Sequence, residues 1–244
     1  MKHVVACVLV AALLATAAAS AAQPPLRLQE RCLTKKEKRH PFRFTGSDGV
    51  RLVGLLVGRG TNAVVLGNEG GATLCGWLLY AKRLSGRGFR VLVFDFRWTG
   101  SSSHSPSTNA DEADRDVIGA VTALRARGMR TVQLMGASFG AGASLAAAPQ
   151  IAPPVDSVVS LSSPLSMGPI VPEDGARRST APVLFAAAED DPPFADDARA
   201  MYAESPAADK RLAVVPAGGH GTSLVGPRRP LDALVESYLR EHAG

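Results

Sequence analysis

The chain has 244 residues, of which 46% are hydrophobic and 20% charged. That balance excludes an intrinsically disordered polypeptide and fits one large α/β domain. The net charge of +5 is mild. With no aromatic interleaving among the basic residues and no nucleic-acid-binding motif, no nucleic-acid partner is expected. Aromatic residues are only 5% of the chain, so the core is expected to rest on aliphatic packing.

The first residues have the layout of a secretory leader. Lys2 and His3 form a short positive end, an apolar run extends from Val4 to Ala15, and Ala17–Ala22 is a small-residue cleavage zone. Residues 1–22 are therefore expected to be a signal peptide. The rival, an N-terminal membrane anchor, has a run short of the about 20 residues a span needs. A secreted, periplasmic or cell-envelope location follows. Beyond the leader, Cys32 and Cys75 are an even pair in an oxidising compartment and read as one disulfide, the alternative being two separate buried thiols. It would tie the N-terminal arm, residues 23–41, to the segment after the third strand. Arg31, Lys35, Lys36, Lys38, Arg39 and His40 make that arm basic. Such a run is either a solvated face or a weak attachment to anionic cell-envelope surfaces. No Cys/His spacing resembles a metal site, and neither a metal nor an organic cofactor is expected.

From residue 42 to 244 the chain alternates strand-like and helical runs. Pro41–Thr45 and Arg51–Gly58 read as a hairpin around the turn Gly46-Ser-Asp-Gly49. Ala63–Gly67, Arg90–Phe96, Thr131–Gly136, Val155–Leu161, Pro182–Ala188 and Arg211–Pro216 are short aliphatic runs suited to strands buried on both faces. Helical patterns lie between them at Gly76–Ser85, Ala110–Ala126, Phe139–Ala148, Asp196–Ala203 and Leu231–Glu241. Ala113, Val117, Ala120, Val121 and Leu124 share one helical face and should meet the sheet. Gly86, Gly88 and Gly128 follow the first two helices, where left-handed caps favour glycine. The pattern predicts an α/β fold: a single domain with a mostly parallel sheet of about eight strands and helices on both faces.

Chemistry concentrates at Gly136-Ala-Ser-Phe-Gly140. This is a strand, a sharp turn at Ser138, and a helix of small residues. Such a turn exposes the hydroxyl beside a helix N-terminus, where backbone amides receive negative charge. A serine nucleophile needs a base and an orienting acid. His220, in the glycine-rich Pro216–Thr222 loop past the last strand, is the best base; His104, in the Ser-rich loop after the fourth strand, is the alternative. His3, His40 and His242 lie in the leader, the basic arm and the C-terminal end. Glu189, Asp190 and Asp191 follow the seventh strand. Asp191 is favoured because Pro192 disfavours helical backbone before it, with Asp190 next and Glu189 last. An oxyanion hole would take the amide of Phe139 and one from the Gly67–Gly71 loop, at Asn68 or Glu69.

With these residues placed, the chain resembles the α/β-hydrolase superfamily in the order Ser138, Asp191, His220. It is most similar to small exported bacterial hydrolases related to dienelactone-hydrolase-like esterases. Leu74-Cys-Gly-Trp77, Gly88–Asp95, Phe185–Asp191 and Gly219-His-Gly221 add to the serine motif. Two departures stand out: Gly67-Asn68 where many relatives carry His-Gly, and Trp98 where Arg-Gly-x-Gly-Ser is common. Trp98 either rims the pocket or packs against the sheet. Ser162–Ala181 is too short for an inserted helical cap domain. The resemblance implies a secreted serine hydrolase that cleaves small carboxylic esters through an acyl-enzyme. The rivals are a serine peptidase or acyltransferase on the same scaffold, and a non-catalytic envelope-binding relative.

Overall fold

A computed structural model describes residues 23–104 and 110–244; the expected leader, residues 1–22, lies outside them. Eight strands form one sheet in the order β1-β2-β4-β3-β5-β6-β7-β8. They are β1 (Phe42–Thr45), β2 (Arg51–Val57), β3 (Asn62–Gly67), β4 (Arg90–Asp95), β5 (Thr131–Ala137), β6 (Val158–Leu161), β7 (Val183–Ala188) and β8 (Lys210–Val215). The opening hairpin, β1 and β2, is antiparallel, and from β4 to β8 the sheet is parallel.

The strands alternate side chains between two apolar layers, which is why their runs read as continuously hydrophobic. In β4, Leu92 and Phe94 enter one layer, while Val91 and Val93 enter the other. The first layer is closed by α3 (Ala113–Arg125), α4 (Phe139–Ala147), α5 (Pro172–Arg178) and α6 (Phe194–Glu204). The second is closed by α2 (Cys75–Ser85) and α7 (Asp232–Glu241). The expected α3 stripe of Ala113, Val117, Ala120, Val121 and Leu124 is buried against the sheet. The segment between β6 and β7 carries only the short α5, which packs on α4 and α6, so the domain has no large cap.

The N-terminal arm belongs to the folded domain. Leu28 and Leu33 are buried in the second layer, and Arg43 and Arg51 donate to the carbonyls of Leu26 and Pro24. The Cys32–Cys75 disulfide pins the arm to the start of α2. Part of the basic run coils into α1 (Lys35–Lys38), opened by a Thr34/Glu37 capping box.

Most element boundaries differ from the sequence reading by one to three residues, and α5 is absent from it. Gly86 stays in right-handed helical backbone, its amide still bonded to the carbonyl of Lys82, and the left-handed position falls on Gly88 (φ 99°). Strand β6 begins at Val158 rather than Val155. There the Asp156 carboxylate takes the Val132 amide at 2.7 Å in place of a backbone carbonyl, while the Asp156 amide still donates to the Val132 carbonyl. α5 has too few turns to declare itself by periodicity.

Two buried polar clusters hold the loops above the sheet. Arg97, fully buried, donates to Asp116 of α3 and to Asp48 of the hairpin turn, joining three distant segments. Beside it, Asp95 accepts the amides of Leu74 and Ser101 at 2.7 and 2.8 Å, while Ser101 Oγ donates to Glu30 of the arm. Burial, and then the hydrogen bond with Glu30, push the Asp95 carboxyl up from 3.8 to about 8. Burial opposes the charge on Glu30, but bonds from Asp95 and Ser101 hold its carboxyl below the ordinary glutamate value. The folded state therefore keeps a proton on Asp95 that the unfolded chain releases above its ordinary value. As pH rises from there through about 8, that stabilisation is lost. Glu30, shifted the other way, loses its contribution on acidification. Glu30→Gln should flatten the alkaline side: the wild-type melting temperature should fall between about pH 5 and about pH 9 more steeply than the variant's. Equal slopes in thermal melts would refute a contribution of Glu30 to the raised Asp95 carboxyl.

Candidate active site

The elements that matter meet at the carboxyl ends of the parallel strands, where open α/β sheets bind ligands. Strand β5 ends at Ala137, α4 starts at Phe139, and Ser138 between them is held at φ 51° and ψ −115°. That is sparsely populated backbone for a residue with a side chain, costing roughly 1–3 kcal/mol. Its amide donates to the carbonyl of Leu161 at 2.8 Å, and its carbonyl accepts from Gly142 at 3.0 Å. The glycines two residues either side have a steric cause. A Cβ on Gly136 would lie 2.2 Å from the Gly140 carbonyl oxygen, and one on Gly140 would lie 2.2 Å from the Gly67 carbonyl carbon. The helix start is thereby pressed backbone to backbone against β5 and the end of β3.

His220 lies past β8, in the loop 216–222. Its Nδ1 donates to Asp191 Oδ2 at 2.7 Å. A carboxylate acting as acceptor selects the tautomer with the proton on Nδ1, in which the neutral ring presents Nε2 as an acceptor. The Phe194 ring packs on the imidazole with centroids 4.5 Å apart. Asp190 shapes the loop instead, its carboxylate accepting the amides of Gly218 and Gly219 at 3.0–3.2 Å. Glu189 pairs with Arg199 on the surface. Of the three acids only Asp191 touches the imidazole.

The loop is fastened at two further points. The Gly221 amide donates to Ser162 Oγ at 3.1 Å, and Thr222 donates through both its amide and its hydroxyl to Glu69 Oε1, at 2.7 and 2.8 Å. Ser162 is fully buried, at φ 47°. The 3-10 turn Gly221–Leu224 that follows lies against β5, β6 and β7. In this structure Ser138 and His220 form no hydrogen bond with each other, although both sit at the same strand edge.

The loop after β3 runs beside the helix start, with a Cβ on Gly70 falling 3.7 Å from that of Phe139. Phe139 is the first residue of α4, so its amide has no intrahelical acceptor. Asn68 is buried with its Nδ2 committed to the carbonyl of Phe94 at 2.6 Å, so its side chain serves the fold. Trp77 Nε1 anchors the same loop through the carbonyl of Gly67 at 2.7 Å.

The other sequence candidates lie elsewhere. His104 sits on the loop after β4, its Nε2 bonded to the Gly100 carbonyl oxygen at 3.1 Å and its ring edge-on to Trp98. Trp98 is 40% exposed at φ 65° and stands off the sheet on that loop. His242 bonds to Asp209 and to the Tyr238 carbonyl. Thr222, Ser162 and Phe194 are contacts that no sequence pattern announced; only Ser162, directly after a strand neighbouring β5, had a positional signal. A cleft of about 500 Å³ opens between α2 and the loop 225–229, lined by Trp77, Leu79, Tyr80 and Arg229. It reaches the His220 loop at Thr222 and the following turn at Ser223. Among the described residues no cluster of three or more His, Cys, Asp or Glu side chains is placed to hold a metal ion.

With that geometry in place, the comparisons agree on the architecture. The family model for the alpha/beta hydrolase fold matches residues 69–177. The chain has the fold of the α/β-hydrolase superfamily. Among solved structures it is similar to the esterase Pf2001 of Pyrococcus furiosus, with TM-score 0.72 and 18% identity over 91% of this chain and 100% of that one. It is also similar to a dienelactone hydrolase from Anabaena variabilis, with TM-score 0.69 and 20% identity over 84% and 99% of the two chains. A monoacylglycerol lipase of Paleococcus ferrophilus aligns with TM-score 0.65 and 16% identity over 78% and 99%. No curated protein sequence matches the chain.

The imidazole contact is open to direct observation. Proton NMR should show a downfield His220 Nδ1–H resonance that Asp191→Ala abolishes and Asp190→Ala preserves. Loss in the Asp190 variant alone would reverse the assignment of the partner.

Proposed function

We propose that this chain is a serine hydrolase of small carboxylic esters, working through an acyl-enzyme with Ser138 as nucleophile, His220 as base and Asp191 as orienting acid. The observation that carries the reading is the 2.7 Å Nδ1–H bond from His220 to Asp191, with Ser138 held at a strained strand-to-helix apex on the same edge. The names of the similar solved structures (esterase, dienelactone hydrolase, monoacylglycerol lipase) point the same way.

In this mechanism His220 Nε2 takes the proton from Ser138 Oγ as the oxygen attacks the ester carbonyl. Asp191 stabilises the imidazolium that forms. The carbonyl oxygen becomes an oxyanion held by the amide of Phe139 and one amide of the Asn68–Glu69 segment. The tetrahedral adduct collapses when the imidazolium protonates the departing alkoxide. Water, deprotonated by the same imidazole, then attacks the acyl carbon and restores the serine. The unformed Ser138–His220 bond fits this chemistry, since catalytic hydrogen bonds often tighten only in the substrate complex.

The β6–β7 segment, carrying only α5, is too short for an inserted cap, which supports short-chain or small soluble esters as the substrates. The Cys32–Cys75 disulfide and the leader-like residues 1–22 support a secreted or periplasmic location. Steady-state assays with nitrophenyl esters test the reading. Ser138→Ala should abolish turnover, and Asp191→Asn should lower kcat by roughly 10³–10⁴-fold through the wrong imidazole tautomer. Turnover should fall from short to long acyl chains. Full activity of the Ser138 variant would point to another nucleophile, and faster turnover of long-chain esters would refute the substrate class.

A further inference from the structure

We propose that the Glu69 carboxylate is a positioning residue that clamps the loop after β3, which offers one of the two oxyanion amides, to the loop carrying the base, so that the two halves of the site keep one spacing. The inference rests on the hydrolase reading above and extends it to a side chain for which the sequence suggested only a backbone role.

Glu69 lies in the loop directly after β3, two residues past Gly67 and next to the Gly70 that borders Phe139. Its Oε1 accepts two hydrogens from one residue, the Thr222 amide at 2.7 Å and the Thr222 hydroxyl at 2.8 Å. Thr222 stands two positions after His220. Hydrogen bonds to an ionised carboxylate are about twice as strong as neutral ones, and here both act between segments 153 residues apart in sequence. The backbone of Gly221 passes directly over the same oxygen. A Cβ there would lie 2.4 Å from Oε1 and 3.2 Å from the Cβ of Ala137, the residue before the nucleophile, and Gly221 itself sits at φ 50°. Glu69 Oε1 is thus held against the backbone of the His220 loop at Gly221 and Thr222, and Gly221 in turn lies close to Ala137 at the end of β5.

The remaining anchors of the His220 loop lead elsewhere. Asp190 and Asp191 hold it to the end of β7, and Ser162 holds it to the end of β6. Of these anchors, only the Glu69 contact joins the base's loop to the loop after β3 that supplies an oxyanion donor. Those two must act on opposite ends of one bond rearrangement, since proton removal and charge stabilisation occur in the same step. A displacement of about 1 Å in such a relation costs on the order of 100-fold in rate. A carboxylate that merely capped the 3-10 turn Gly221–Leu224 would change melting temperature with little effect on the chemical step.

The test is steady-state ester hydrolysis with full pH profiles on wild type, Glu69→Ala, Glu69→Gln and Thr222→Val, each checked by thermal melting. Glu69→Ala should lower kcat about 10–100-fold with KM within about twofold, and should move the pH limb attributed to His220. Glu69→Gln retains Oε1 as an acceptor and should recover most of kcat. Thr222→Val should lower kcat less than Glu69→Ala, and the double variant should add little beyond Glu69→Ala. Wild-type kcat and an unmoved pH limb in Glu69→Ala, with Ser138→Ala dead, would overturn the clamp and leave the hydrolase reading intact. Equal losses in Gln and Ala variants that follow melting temperature would also overturn it, as a purely structural effect. A wild-type chain that turns over no ester and takes up no fluorophosphonate would overturn the hydrolase reading and this role with it.

Discussion

Where β3, β5 and α4 cross, the chain packs backbone on backbone. Gly136 and Gly140 lie so close to each other and to Gly67 that no side chain fits on either of the first two. This contact forces the reversal at Ser138 into its strained backbone and sets the start of α4 beside the loop after β3. The half-buried serine at the apex and the unpaired first amide of a helix are therefore consequences of one steric constraint. A larger residue at 136 or 140 would separate α4 from the strands and relax the apex.

The second half of the site depends on a loop that has little regular structure of its own. Residues 216–222 have no extended ladder to hold them. They are fixed by side chains from the ends of three strands: Glu69 after β3, Ser162 after β6, Asp190 and Asp191 after β7. A glycine-rich segment can take the backbone angles this needs, and the acids supply the rigidity that glycine lacks. The division of labour between neighbouring acids follows from direction alone. Asp190 faces the backbone amides of the loop, and Asp191 faces the imidazole.

Much of this was legible in the sequence because it is local. The alternation of short aliphatic runs and helices gave the sheet and its two layers, and the stripe on α3 came straight from helical spacing. The G-x-S-x-G pattern announced the apex because only small residues permit it. What was not legible depends on how distant loops meet. Asp190 and Asp191 are adjacent and chemically alike, so spacing orders them only weakly. Thr222 and Ser162 are ordinary polar residues until a folded loop brings them onto Glu69 and Gly221. The left-handed turn after α2 at Gly88 rather than Gly86 shows the same limit: both glycines permit it, and the helical bond from the Gly86 amide to Lys82 keeps Gly86 right-handed. The buried Glu30–Asp95 contact was also hidden, since it joins an arm to a strand end across much of the domain.

The account turns on Ser138 being a nucleophile made reactive by His220. Peptide mass spectrometry after treatment of the folded protein with a fluorophosphonate tests this most directly. The expected result is a single phosphonyl adduct on the peptide carrying Ser138, absent when His220 is replaced by alanine. An adduct on another serine such as Ser162, or labelling of Ser138 that is indifferent to His220, would contradict it.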